Sequence, residues 1–448
     1  MSASTAAPRP VGARPGRRRL VRLPYGWPVT ALFAGLGAWW LVGLHGLAVH
    51  LVAVPMLVHL VRSRRVVVAP GAAVWGLFLL WCAASTVMLG VDPAGTVPDT
   101  FAGRLVPAAF RLSGYAAAAV VLLYIGNLDP VRFSQRRLAR VLGLGFVWVV
   151  LGGLLAVVAP QLELTSPVEL LLPPGVRSNL FVQSLVHPAA SQVQDVLGYA
   201  AGRPAAPFGY TNMWGHAFAL LLPWFVVGFV LPARGARRLA ALAVLGVSVL
   251  PAVLSLNRGL WVALALSVAF VVVRAVRRGR TGVAVLALAA VLLTALLLLA
   301  SPLRGVVEAR VENGRSDSIR SYSVTRAVEL TTESPLLGFG STRTPLGGVN
   351  SIATGRTSDC PRCGNQPLGV NGQLWYEVVA HGFVGAALYV LTLVLVAWRH
   401  RRLVSPVGTA GLLTVLLMLW FMLVYGAMTT PLAVAFAAWA ALWREESA

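Results

Sequence analysis

Long apolar runs separated by short polar connectors dominate this chain. A helix of about 20 apolar residues crosses a bilayer core, and runs of that size fall near 70–89, 106–125, 141–159, 208–231, 282–300 and 374–397. Three further runs are too long for one crossing: Trp27 to Val61, 239–273 and Val407 to Leu442. Each is interrupted by a turn-forming segment, at Gly43-Leu44-His45-Gly46, Leu256-Asn257-Arg258-Gly259 and Tyr425-Gly426, and is expected to fold as a helical hairpin. The pattern predicts an all-α polytopic membrane protein of about 12 transmembrane helices, with a large extracytoplasmic loop between spans 9 and 10.

Charge fixes the expected orientation. Arginines cluster before the first crossing and after the even-numbered ones, at 17–22, 62–65, 132–140, 234–238, 274–280 and 399–402, which the positive-inside rule assigns to the cytoplasm. Residues 1–24 read as a disordered basic cytoplasmic tail and 25–300 as spans 1–9, with an outer loop at 160–207. Residues 301–370 form the large extracytoplasmic loop, 371–443 spans 10–12, and 444–448 a cytoplasmic tail. In this arrangement 24 arginines lie inside and 13 outside, and both termini are cytoplasmic.

Composition excludes a soluble domain: 57% of residues are hydrophobic and 12% charged, and the mean hydropathy is +0.76. All 37 basic residues are arginine, so the net charge of +22 is met by membrane anchoring and composition bias, without nucleic acid as a partner. No GxxxxGK[ST] stretch is present, which argues against work driven by ATP. No cofactor is implied, and no carboxylate-rich cluster argues for a metal site.

The polar candidates gather on the outer side. Arg258 sits at a hairpin tip between two apolar helices, where an unpaired guanidinium costs about 2.5–3.5 kcal/mol even on a lenient insertion scale. It therefore calls for water, a carboxylate or a phosphate, unless it simply snorkels to the interface. Arg203 lies just before the span that opens at Phe208. Within that span Asn212 and His216 share a helix face, where a hydrogen bond to a neighbouring helix is the ordinary role. Arg320 and Arg326 fall in a short predicted helix at 319–330, with Arg326 near Glu329 or Glu333. Arginine suits a diphosphate because its planar fork binds bidentately and stays ionised, and several arginines around one outer cavity stabilise a departing diphosphate electrostatically. Cys360 and Cys363 form a CxxC in the outer loop. A disulfide is its leading reading, beside a zinc half-site or a redox pair. Cys82, inside a span, reads as a packing residue.

Four stretches in order carry a resemblance: Arg203 through Asn212, Asn257-Arg258-Gly259, Arg320 followed by Pro335-Leu336-Leu337-Gly338-Phe339-Gly340, and Asn371 through Gly385. Together they resemble the O-antigen ligase and O-antigen polymerase superfamily of bacterial membrane glycosyltransferases. The resemblance covers roughly residues 200–400. It implies metal-independent, inverting transfer of a glycan from an undecaprenyl-diphosphate carrier to a hydroxyl of a glycan, lipid or protein acceptor at the outer face of the cytoplasmic membrane. Arg203, Arg258 and Arg320 are then the expected diphosphate ligands, with Asn212, His216 and Arg326 in support.

The chain departs from that pattern where many members open the helix after the long loop with His-Asn. Here Asn371-Gly372 stands, and an amide is no general base. Glu377, His381 and His187 are the alternatives for the base, beside an ordinary structural hydrogen bond for each. A transporter or flippase of lipid-linked glycans is the main rival function, and a catalytically inactive scaffold is a third.

Overall fold

The structure, a computed structural model, describes residues 23–447 except 179, 196, 198, 199, 302, 313, 314 and 347–366. Cys360 and Cys363 lie outside the described residues, so their pairing has no structural account. The chain is about 70% helical.

The amino-terminal hairpin is α1 (Trp27–Ala34) and α2 (Leu36–Val42), then α3 (Ala48–Arg62). Its turn begins at Gly43, whose φ of 81° ends α2 in the left-handed region that glycine adopts without cost. Next come α4 (Ala72–Ser85), α5 (Phe101–Gly126) and α6 (Gln135–Val158). Thr100 and Ser134 cap α5 and α6 by accepting from the amides of Gly103 and Arg137.

The segment at 160–207, expected as an outer loop, departs from an all-α reading. It holds the short helices α7 (Pro167–Leu171), α8 (Pro174–Arg177) and α9 (Leu180–Val186) and an antiparallel pair of strands, β1 (Ser191–Asp195) and β2 (Ala200–Pro204). Ser191 pairs with Pro204 and Gln192 with Arg203. The stretch Ser191-Gln192-Val193-Gln194 holds a single apolar residue and no alternation, so it gives no strand signal beside the helical runs.

Helix α10 (Thr211–Phe225) continues into a π-helical turn at Val226–Val230 and is followed by the hairpin α11 (Gly235–Leu254) and α12 (Arg258–Val276). Then come α13 (Thr281–Leu299), α14 (Leu303–Glu312), α15 (Arg315–Thr331), α16 (Gln373–Arg399), α17 (Pro406–Phe421) and α18 (Thr430–Glu446).

Helix α18 is the axis of the bundle: Thr430 through Arg444 are all buried, against α5, α17 and α10. Its small side chains, from Ala433 to Ala441, let neighbouring helices approach closely. Helix α16 packs on α4, α15 and α17, and α6 packs on α10. By contrast, α13 exposes Leu286, Leu292, Leu293 and Leu296, an apolar surface suited to lipid. Among the described residues, α5, α6, α10 with its π turn, α11, α12 and α16 are long and apolar enough to cross a membrane. Shorter apolar helices lie at Ala48–Arg62, Ala72–Met88, Thr281–Leu297 and Pro406–Phe421.

Candidate active site

The tip between α11 and α12 organises one end of the molecule. Asn257 caps α12 by accepting from the Leu260 amide at 2.9 Å. The same side-chain oxygen accepts from the Tyr425 hydroxyl, and its amide donates to the Thr211 carbonyl at 3.4 Å. Gly259 is required by this packing, because a Cβ there would lie 2.6 Å from Tyr425 Oη. The turn itself is strained: Leu256 has a φ of 53°, unusual for a residue with a side chain.

Two arginines are held by the carbonyls of this strained turn. Arg203 Nε donates to Ser255 O at 2.6 Å, and its Nη1 donates to Gln194 Oε1 on the neighbouring strand. Arg310 Nε donates to Leu256 O at 3.1 Å. Arg258, the first residue of α12, pairs with Asp317 Oδ1 at 2.5 Å. Arg320 places its guanidinium 5.5 Å from the centre of the Tyr425 ring. Strand β2, the hairpin tip and helices α14 and α15 thus bring Arg203, Arg258 and Arg320 within electrostatic reach of Arg310, with Tyr425 beside Arg203, Arg310 and Arg320.

Asp317 is the carboxylate that faces this group among the described side chains. Burial pulls the Arg203 guanidinium down to about 9, with Tyr425 opposing the shift and Arg310 and Arg320 adding to it. Burial, followed by Arg258, lowers Arg310 to about 10. Such a set is poised for an anion, whose charge relieves both the desolvation and the mutual repulsion.

A second feature lies beside it. Helix α16 breaks at Gly382, whose φ is 68° and ψ −176°. A break there turns carbonyls of the first arm toward donors outside the helix. Phe339 N donates to Val379 O at 2.9 Å and Gly340 N to Ala380 O at 2.7 Å. Trp81 Nε1 donates to His381 O at 3.1 Å. The Pro335–Gly340 turn is thereby docked into the broken helix, and Phe383 N returns a bond to Pro335 O at 2.8 Å.

Glu377 and His381 are buried within the first arm of α16. Tyr115 Oη donates to Glu377 Oε1 at 2.5 Å, and Gln373 donates to the same oxygen. Gln373 also binds the backbone around Tyr425: its amide donates to Tyr425 O at 2.9 Å and its side-chain oxygen accepts from Ala427 N at 2.8 Å. Glu377 is thus tied through Gln373 to the segment that carries Tyr425, with its own carboxylate kept from the surface.

The other residues singled out in the sequence divide. His187 is a quarter exposed, with Nδ1 2.8 Å from Glu169 Oε2 and Nε2 3.5 Å from Glu163 Oε2. Asn371 is half-buried in the turn before α16, its Nδ2 without a partner. His216 is a core residue, its ring 4.2 Å from that of Phe421 and its Nδ1 3.4 Å from Gly426 O. Asn212 is half-buried on the same helix. Arg326 pairs with Glu329 at 2.7 Å; six residues from Arg320 on one helix, it points about 120° away around the axis.

Arg310 was not visible as a member of the cluster because α14 and α15 lie in a polar stretch without a repeated apolar face. Arg343 was missed for the same reason. It is buried and donates to the carbonyls of Met88, Leu89, Val91, Phe339, Ser341 and Thr342, which fastens the end of the docked turn to the chain after α4. Arg104 reaches the Leu89 and Val91 carbonyls and pairs with Asp92. No protein-family model and no curated protein sequence matches the chain.

Proposed function

We propose that the chain crosses the cytoplasmic membrane about twelve times, with both termini inside. In this reading it transfers a glycan from an undecaprenyl-diphosphate carrier to an acceptor hydroxyl at the outer face. The carrying observation is the convergence of Arg203, Arg258, Arg310 and Arg320 on one hairpin tip, with Asp317 facing them. The resemblance to O-antigen ligases and polymerases at the same arginines supports the same donor. In the reaction the acceptor oxygen attacks the anomeric carbon as the bond to the diphosphate oxygen breaks. The lipid diphosphate leaves as an anion held by the guanidiniums, and the hydroxyl proton passes to a base.

For that base we favour His187. Its ring is oriented by Glu169 and a quarter exposed, whereas Glu377 and His381 are buried. A nucleophile's base backed by a carboxylate is a recurring arrangement. In this reading Tyr425 and Asn257 position the cluster, and the acceptor is a glycan, lipid or protein hydroxyl.

The break in α16 favours the transporter alternative, since transporters use discontinuous helices to bind ions and substrates at mid-membrane. The carbonyls of Val379, Ala380 and His381, however, are taken by Phe339, Gly340 and Trp81, so the break serves as a docking seam. Transfer assayed with a purified polyprenyl-diphosphate glycan donor separates the two. Arg258→Ala and Arg320→Ala are expected to abolish transfer at normal membrane expression, and full activity in both sinks the site. In a Cys360→Ser/Cys363→Ser background, Glu333→Cys is expected to react with an impermeant thiol reagent from outside. Labelling only from the cytoplasm overturns the topology.

A further inference from the structure

Beneath the seam, three metal-ligating side chains from two helices meet in the bundle interior. Cys82 of α4 and Glu377 and His381 of α16 are buried, and one ligand atom from each lies within 4.8 Å of the others. His381 Nε2 is 3.6 Å from Glu377 Oε2. Glu377 Oε2 has no hydrogen-bond partner, although Oε1 has two, and His381 Nδ1 is also unpartnered. The Arg111 guanidinium is committed to the face of Tyr376, 3.6 Å from the ring centre. A buried polar oxygen left unsatisfied beside a thiol and an imidazole costs free energy that a cation recovers.

We propose that Cys82, Glu377 and His381 bind a zinc ion that ties α4 to the first arm of α16. The donor set is the mixture of sulfur, nitrogen and carboxylate oxygen that zinc accepts, and the residues at 377 and 381 share one helix face. A zinc ion with one thiolate, one carboxylate and one neutral imidazole forms a site of zero net charge, which a low-dielectric interior tolerates. Binding displaces the Cys82 thiol proton to solvent. Zinc–ligand bonds of about 2.0–2.3 Å put neighbouring ligand atoms roughly 3.3–3.6 Å apart, so the cluster closes by about 1 Å on binding. The carboxylate can fill a fourth position by turning bidentate. The ion would hold the residues directly below Gly382 and fix Glu377, which positions Gln373 and the Tyr425 segment.

The proposal does not rest on glycan transfer and is tested by metal content. Protein purified in detergent and supplied with zinc, then desalted, is expected to retain one zinc ion per chain by elemental analysis. Cys82→Ser and His381→Ala are expected to lose it, while Cys360→Ser/Cys363→Ser keeps it, which separates this site from the outer CxxC. If the first two variants do not fold, cobalt exchanged into Cys360→Ser/Cys363→Ser is expected to show thiolate-to-cobalt charge-transfer absorption, with Cys82 the remaining thiol. Substoichiometric zinc in the folded wild type overturns the proposal, as does zinc surviving in Cys82→Ser/His381→Ala, zinc lost with the outer pair, or no charge-transfer band.

Discussion

Gly338 and Gly382 meet backbone against backbone: a Cβ on Gly338 would lie 2.5 Å from the Gly382 amide nitrogen, and one on Gly382 would lie 2.3 Å from the Leu336 carbonyl oxygen. Both residues have positive φ, 63° and 68°. Gly382→Ala therefore combines backbone strain with a clash against main chain that cannot rotate aside. The expected loss is about 2–4 kcal/mol, read as a lowered thermal midpoint in detergent. Gly246→Ala is the control, since an added Cβ meets nothing within 4 Å in the middle of α11. It should be neutral or stabilise by up to about 1 kcal/mol.

The seam explains what the sequence could and could not reveal. The turns at Gly43, Asn257 and Tyr425 were legible because each interrupts an apolar run too long for one crossing, and the helices end and restart at all three. Arg203, Arg258 and Arg320 were legible as cations beside apolar runs, and the fold gathers them near Arg310. The break at Gly382 was not, because its flanks, Glu377-Val378-Val379-Ala380-His381 and Phe383-Val384-Gly385, keep an uninterrupted helical pattern. A glycine in an apolar helix usually marks close packing, and its φ follows from the docked Pro335–Gly340 turn. The strands β1 and β2 were hidden for the opposite reason, being too short and polar to carry a period.

Arg343 carries the far end of the same seam through its bonds to carbonyls after α4 and around Phe339. Arg343→Ala leaves several buried carbonyls unpaired, with an expected loss of about 3 kcal/mol in thermal or denaturant unfolding. Arg343→Lys should recover less than half, because an ammonium has three donors in no fixed fork. Equal stability of the lysine variant and the wild type would show that charge alone suffices there.

The His187–Glu169 pair predicts a split between catalysis and binding. Glu169→Gln keeps the shape at Oε2 but removes the carboxylate charge that orients the imidazole. Turnover is expected to fall by about 10²-fold with donor KM unchanged, and His187→Ala by at least as much. A raised KM at constant turnover would instead make the pair a structural clasp between 163–169 and 187.

The arginine cluster predicts how donor affinity depends on pH. Arg203 is lowered to about 9 in the folded protein, chiefly by burial. Below that value the folded state carries an unfavourable buried charge; as pH rises through 9 the folded state releases a proton that the unfolded chain keeps. Stability of the ligand-free protein should therefore increase above pH 9, by the sign of the linkage. A bound diphosphate stabilises the protonated guanidinium, so its affinity moves the other way. Donor binding is expected to weaken by about tenfold between pH 8 and pH 10, where a diphosphate ester has no further proton to lose. Arg310, lowered to about 10, steepens the fall beyond that point. Titration of a polyprenyl diphosphate into the purified protein, followed by intrinsic tryptophan fluorescence, measures it. Arg203→Lys shifts the profile if Arg203 is the titrating ligand, and a flat profile up to pH 10 removes the buried guanidinium from the binding site.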